Sequence, residues 1–524
     1  MNEIVSLDEQ DRTPSLVSSL TARHKPDILD CIANLSSDEV FTSPGVVNRM
    51  LDLLPEDVWM NPDLKFLDPG CKSGVFLREA AKRLMVGLEA AIPDGAQRRA
   101  HIFRNMLYGI AITELTAQIA RRSLYYTKDA SSEKSVVQMD TPDGNIVYRN
   151  IPHTYIGGSC THCGAPESAA RDENLETHAY LYIHQTIQEI FPDMKFDVII
   201  GNPPYQLGTT KVQENGKKKA NAKPIYQHFV LNALNMNPRY VSMIIPSRWF
   251  NSDLGELKLF RSKMQSVPPI RIVDIPNEND VFPGIECKGG VCYFLTDTKR
   301  VEGNETIFEK YYSGEVLSSD IRVISDFDDI LREPLQYSIV RKVLSNGEKT
   351  LSDLFSSQTP FGLHTNFDEY CNEKADGAVV LYVSKFKGFK RHVKKSIISK
   401  NIELLDRHLV FTTKASEGKA VYPNNVIGAT FHAPPNTACT QSYLVAGAFE
   451  NEITAANYAA YLKTKFARFL IDCVKNTQDL NKNCVKFVPQ QDWTSAMTDE
   501  ELYLKYGLSG LEIEFIEERI KEMP

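Results

Sequence analysis

The chain has 524 residues, of which 42% are hydrophobic and 24% charged, and a formal net charge of −8. That length exceeds what one core usually organises and that composition is globular, so two or three domains are expected and a disordered chain is excluded. No apolar run reaches membrane-spanning length, the start MNEIVSLDEQDR is acidic and polar, and ten scattered cysteines form no evident disulfide framework, which together predict a cytoplasmic protein with no membrane attachment.

Residues 1–37 read as a polar N-terminal arm. Phe41-Thr42-Ser43-Pro44-Gly45 then precedes the amphipathic run VVNRMLDLL. Thr42 or Ser43 can cap that helix, with Pro44 in its first turn. Leu64-Lys65-Phe66-Leu67 is the first strand candidate. It runs into Asp68-Pro69-Gly70-Cys71-Lys72-Ser73-Gly74 and a helix over about 75–88. A strand, a glycine-bearing turn and a helix N-terminus hold charged small molecules well, because backbone N–H groups point at the ligand. The turn is neither G-x-G-x-x-G nor a Walker loop, and Asp68 at the strand end suits a cationic group better than a phosphate. A plain βα turn is the simpler alternative.

Leu107-Tyr108-Gly109-Ile110 is the second strand candidate, followed by a helix through Leu124. Residues 136–148 contain Pro142-Asp143-Gly144-Asn145, which predicts a hairpin or a short crossing strand. An insert over about 150–190 follows. Cys160-x2-Cys163, fourteen residues and His178-x5-His184 match a two-Cys, two-His zinc spacing. Residues 175–190 read as one helix, on which an i, i+6 pair shares no clean face, so His162 or His153 is an alternative ligand. Unliganded thiols and a redox role are the other readings of this pair.

The most specific stretch is Phe196-Asp197-Val198-Ile199-Ile200-Gly201-Asn202-Pro203-Pro204-Tyr205. Val198 to Gly201 predicts a buried parallel strand. The two prolines stiffen the loop that follows and push Asn202 out of the helical region. At the C-terminal end of a strand, this loop offers an adenine amino group what it needs. The Asn202 side-chain oxygen and the Pro203 carbonyl can each accept an N–H, and Tyr205 can stack on the ring. An ordinary Asn-Pro turn is the bland alternative.

Further strands are expected over 240–245 and 271–275, a helix from about residue 224, and a closing hairpin over 281–295. Strands alternating with helices over about 40–300 predict a doubly wound α/β sheet. From about residue 330 the pattern is irregular, with a short strand over 379–383, a helix over about 455–474 and a short acidic helix at the end. Two basic segments stand out against the overall acidity. Lys217, Lys218, Lys219 and Lys223 follow the N-P-P-Y loop, and residues 385–400, with Lys385, Lys387, Lys390 and Arg391, carry seven Lys/Arg and no acid. Each is either a phosphate-contacting patch or a solvated face.

In order, the chain carries F-T-S-P, F-L-D-P-G-C-K-S-G, Y-G-I and D-V-I-I-G-N-P-P-Y, and then a C-terminal part of different character. It resembles the gamma-class N6-adenine DNA methyltransferases of restriction–modification type, with cofactor motifs first, catalytic motif second and target recognition last. The resemblance covers about 38–300. It implies a Rossmann-like seven-stranded methyltransferase sheet over 38–325 and a mixed α+β target-recognition domain over 326–524. It implies S-adenosylmethionine as methyl donor, double-stranded DNA as partner, and a separate restriction endonuclease as a further candidate partner. Carried over by motif, Phe41, Thr42, Pro44, Asp68, Gly70, Cys71, Gly74, Ile110, Glu114, Asn145 and Asn202 are the cofactor-binding residues, and Asn202, Pro203, Pro204 and Tyr205 hold the flipped adenine.

Three positions depart from the family pattern. Ala111 stands where an acid usually binds the cofactor ribose, leaving Glu114 as the nearest one. Asn145 replaces an Asp near the adenine ring, and Lys72 replaces a small residue. With about 40 residues before the first motif, no fused nuclease is expected upstream. RNA adenine, protein glutamine and a non-catalytic nucleic-acid binder are the competing readings.

Overall fold

The computed structural model describes residues 40–167, 179–212, 218–287, 289–384, 388–416, 422–475 and 477–523, with backbone alone for 207–212 and 218–222. The N-terminal arm expected over 1–37 lies outside the described residues. The chain divides into two compact units, Met1–Ser325 and Asp326–Pro524.

The first unit is built on a nine-stranded sheet. Its strands are β1 (Phe66–Asp68), β2 (Leu107–Ile110), β3 (Ile146–Val147), β4 (Val198–Gly201), β5 (Tyr240–Pro246), β6 (Arg271–Ile275), β7 (Val291–Asp297), β8 (Glu305–Tyr312) and β9 (Glu315–Val323). Their order is β9-β8-β6-β7-β5-β4-β1-β2-β3. The first seven form the expected seven-stranded sheet. The last two, β8 and β9, are an antiparallel hairpin that extends it, with β8 parallel to β6. Strands β3, β2, β1, β4 and β5 are mutually parallel. β7 lies antiparallel between β5 and β6. The expected hairpin over 281–295 is therefore absent. Only 291–297 is a strand, and it pairs with β5 and β6 rather than with its own upstream segment.

Every residue of β1, β2, β4 and β5 is buried. Such runs form where helices cover both faces of a parallel sheet, leaving no solvated face to demand alternation. Helix α1 (Pro44–Leu51) precedes β1, and the crossovers include α2 (Val75–Gly87), α3 (Glu114–Tyr125), α4 (Tyr226–Asn235) and α5 (Gly255–Ser266). The Ser43 hydroxyl accepts from the Val46 N–H at the start of α1, with Pro44 in the first turn, as the sequence predicts. Of the helix expected over 175–190, residues 175–178 lie outside the described residues, and the rest forms two short helical turns, Leu181–His184 and Ile187–Ile190. Gln185, extended, separates them, and Thr186 and Glu189 form a capping box that starts the second turn afresh.

The second unit holds two three-stranded sheets. One pairs Ala378–Tyr382 with Lys390–Lys394 and Thr437–Cys439, and the other pairs His408–Thr413 with Thr430–Ala433 and Tyr443–Phe449. Helices α6 (Glu452–Lys463) and α7 (Lys465–Val474) take the place of the one helix expected over 455–474. Thr464, extended at ψ 150°, divides them, and its hydroxyl accepts from the Ala467 N–H at 3.1 Å. Among the described residues no helix is long and apolar enough to cross a membrane.

Candidate active site

In the order 3-2-1-4-5 the sequence of parallel strands reverses between β1 and β4. Connections leave such neighbours toward opposite faces, opening a crevice at their C-terminal ends. The turn after β1 begins at Asp68 and the loop after β4 begins at Asn202, so the two motifs flank this crevice. Gly70 lies against the backbone of the N-P-P loop. A Cβ there would stand 3.5 Å from the Asn202 carbonyl oxygen and 3.6 Å from the Pro203 Cα. A small cleft lined by Thr42, Asp68, Gly70, Lys72, Ser73, Gly74, Val75, Phe76 and Asn202 gathers residues from three separate stretches of chain.

Asn202 is 3% exposed. Its Nδ2 donates to the Val40 carbonyl and to the Thr42 hydroxyl, each at 3.0 Å. That spends both amide hydrogens and fixes the amide plane. Its Oδ1 is buried and accepts no hydrogen bond within the described residues. A buried acceptor left without a donor is costly, and marks a place built for a donor from elsewhere. The Tyr205 hydroxyl is likewise buried without a partner among the described residues, and burial raises its pKa. The Tyr205 ring meets Phe282 edge-on at 6.3 Å.

Asp68 is buried, and desolvation lifts its pKa to about 7 against the opposing effects of the Gly70 N–H, at 3.1 Å, and of Lys72. Lys72 is buried too, and its ammonium donates to the same Val40 carbonyl that serves Asn202, at 3.0 Å. The cleft therefore carries an acid and a base side by side.

The other candidates fall differently. The Cys71 thiol is buried in the core against Gly109, where a Cβ would stand 2.6 Å from the sulfur, so its side chain does not line the cleft. The Cys71 N–H donates to the Ile110 carbonyl at 3.0 Å and ties the turn to β2. Glu114 is exposed at the start of α3, near the C-terminal end of β2, and accepts from Gln118. Asn145 corrects the sequence reading. It precedes β3, and its amide donates to the Phe103, Arg104 and Leu107 carbonyls at 3.0–3.1 Å, around the N-terminal end of β2 and away from the crevice. Phe41 and Pro44 flank Thr42 without lining the cleft. Sequence reasoning missed the Val40 carbonyl and the Phe282 ring. A backbone acceptor leaves no residue-type signal, and Phe282 lies 77 positions from Tyr205.

The family described as Eco57I restriction-modification methylase matches residues 105–282. An "Uncharacterized adenine-specific methylase" of Mycoplasma pneumoniae (strain ATCC 29342 / M129 / Subtype 1) is 36% identical over 375 residues, 66% of this chain and 87% of that protein. This chain belongs to the adenine-specific methylases. Among solved structures, the Type IIL restriction-modification enzyme MmeI in complex with DNA is 12% identical at a TM-score of 0.45, over 86% of this chain and 67% of that one. A nuclease-deletion mutant of the Type ISP enzyme LlaGI is 12% identical at 0.45, over 85% of this chain and 46% of that one. Neither likeness bears weight at that score.

The basic segments of the methylase are only partly in view. Lys217, Lys385 and Lys387 lie outside the described residues, as do the side chains of Lys218 and Lys219. The lysine-rich loop after Tyr205 is a hairpin, Gln206–Val212 against Lys218–Pro224. Lys223 at its end pairs with Glu256 at 2.8 Å, so its charge is already answered within the methylase. Lys390 and Arg391 are exposed at the turn between Ala378–Tyr382 and Lys390–Lys394, the ammonium over the Tyr382 ring at 5.1 Å and the guanidinium over the Tyr370 ring at 5.9 Å. Phe389 in that turn is 51% exposed. His178 lies outside the described residues, whereas Cys160, Cys163 and His184 meet His153 in one cluster.

Proposed function

We propose that this DNA adenine methyltransferase takes its methyl group from S-adenosylmethionine and places it on N6 of an adenine extruded from duplex DNA at a specific site. The observation that carries the reading is the buried, unanswered Asn202 Oδ1 at the sheet's switch point. The donor set of the cleft fits the cofactor. Asp68 answers its ammonium and sulfonium charge and Lys72 its carboxylate, while Gly74, at φ +72°, lets the turn pass close against Ala120 and Leu124. When bound, S-adenosylmethionine supplies an electrophilic methyl group on sulfur.

The chain's own part is positioning and electrostatics. Asn202 Oδ1 and the Pro203 carbonyl accept the two amino hydrogens of the flipped base. Drawn out of the ring plane, those N–H bonds release the nitrogen lone pair from conjugation with the ring. Tyr205 stacks on the base and holds it in line. No general base is needed, since the amino nitrogen becomes acidic on alkylation and gives its proton to water. The second unit, residues 326–524, reads the target sequence, with the Lys390–Arg391 turn on phosphates. A separate endonuclease is the partner such a modifier would protect DNA from.

The test is methyl transfer from labelled S-adenosylmethionine to duplex DNA, with sequencing of the modified bases. Asn202→Ala should lower kcat by about 100-fold or more, the size seen when one preorganised polar group facing a reacting atom is removed. A variant that methylates DNA as fast as the parent, or a parent that labels RNA or protein in preference to DNA, would sink the assignment.

A further inference from the structure

We infer that the insert between β3 and β4 holds a structural Zn2+ on His153, Cys160, Cys163 and His184. The site starts from a small knuckle. Strands Tyr155–Ile156 and Ser159–Cys160 form a hairpin turned by Gly157 and Gly158, at φ +61° and +79°. Beyond Cys160 the chain doubles back. The Gly164 N–H donates to the Cys160 carbonyl at 2.9 Å and the Cys160 N–H to the Ala165 carbonyl at 2.8 Å. This loop turns both thiols inward, where they are 4% and 2% exposed by residue. His153 reaches them from before the hairpin, and His184 from the far end of the insert.

The four donor atoms all lie within 4.8 Å of one another. Cys160 Sγ is 3.4 Å from His184 Nε2, and Cys163 Sγ is 3.5 Å from His153 Nδ1. Around tetrahedral zinc, Zn–S of about 2.3 Å and Zn–N of about 2.0 Å give S···N edges of about 3.5 Å. The tautomer of His184 is already set. Its Nδ1 lies 2.8 Å from the Tyr180 carbonyl and donates to it, leaving the Nε2 lone pair toward Cys160. Such an outer hydrogen bond is the usual support of a zinc-bound imidazole. Two thiolates neutralise the dication, releasing their two protons on binding. Soft sulfur with imidazole selects zinc over magnesium or calcium, and four protein donors leave no open position, so the role is structural. His162 is exposed, its ring 5.2 Å from that of His184, and is not one of the four donors. The site closes the insert on itself ahead of β4, and Gly164 of the knuckle abuts the Lys223 ammonium at the end of the hairpin after Tyr205.

Metal analysis of the full chain, purified without chelator and equilibrated with Zn2+ before gel filtration, should give about one zinc per chain. Cys160→Ser with Cys163→Ser should abolish it. His153→Ala should weaken zinc at least about tenfold in chelator competition, and His178→Ala should leave it unchanged. If the cysteine variant does not fold, the parent decides. A strong chelator should expose two further thiols to a thiol reagent, and Co2+ exchanged into the parent should show the visible bands of a tetrahedral thiolate complex. Zinc below about half an equivalent in the parent, or no new thiols on chelation, overturns the site. Loss of zinc in His178→Ala with retention in His153→Ala overturns the ligand set.

Discussion

Val40 contributes one carbonyl that two motifs share, the amide of Asn202 and the ammonium of Lys72. The sharing explains how a lysine is tolerated in a turn where the family pattern has a small residue. Its charge is anchored at the cleft wall with Asp68. Asp68 makes this site sensitive to pH. Unfolded, its carboxyl loses its proton near 3.8, whereas in the folded cleft burial holds the proton to about 7. Between those values the folded state binds more protons, so this group makes stability fall as pH rises from about 4 to about 7 and adds no further slope above. A cationic ligand prefers the ionised form. Cofactor affinity measured by calorimetry should weaken below pH 7, approaching tenfold per pH unit, and Asp68→Asn should bind weakly with that slope removed. An unchanged slope in Asp68→Asn would exclude Asp68 as the cause.

The strand–turn elements around the crevice were legible because each carries its own local chemistry. β1 and β4 are apolar runs ending in Asp-Pro-Gly and Asn-Pro-Pro, and these end a strand wherever they stand. Elements whose limits are set by partners were not. Residues 455–474 keep helical periodicity, but at Thr464 a new helix starts, its first N–H groups taken by the Thr464 hydroxyl and by the distant Asp499 carboxylate. Asn145 is expected at the cofactor from its place in the motif order that the family resemblance implies. Asn145 precedes β3 instead of following it, which places the amide at the N-terminal end of the parallel strands, opposite the crevice. At Gly201 the close approach is an element-level constraint. A Cβ would stand 2.6 Å from Asp68 Oδ1, the oxygen that accepts from Gly70. Gly201→Ala should cost about 1–3 kcal/mol in denaturant unfolding and weaken the cofactor further. Gly45→Ala, with nothing within 4 Å, should be near neutral. Equal stability of the two variants would show that β1 and β4 are less tightly apposed.

For the whole molecule, a net charge of −8 places the burden of DNA binding on local patches. The cleft is built within residues 40–202 and the exposed Lys390–Arg391 turn belongs to the second unit, so cofactor and DNA affinity should be separable. Lys390→Ala with Arg391→Ala should weaken DNA binding across all sequences. It should lower the slope of log affinity against log salt by about one for each phosphate that is no longer neutralised, with S-adenosylmethionine affinity unchanged. An unaltered salt slope in a binding titration would remove this turn from the DNA surface.

The amino-acid sequence by itself determined the chemistry on offer and its order: an Asp-bearing glycine turn, an Asn-Pro-Pro-Tyr loop, a Cys pair and two basic segments. These depend on residue type and short spacing, which are local. Only the tertiary structure decided which groups meet. Strand order brings Asp68 and Asn202 to one crevice across more than a hundred residues, the Val40 carbonyl leaves Asn202 Oδ1 unanswered, and His153 completes the cluster of Cys160, Cys163 and His184. Those outcomes rest on sheet pairing and burial, where partners are chosen by packing over the whole fold rather than by neighbours in the chain.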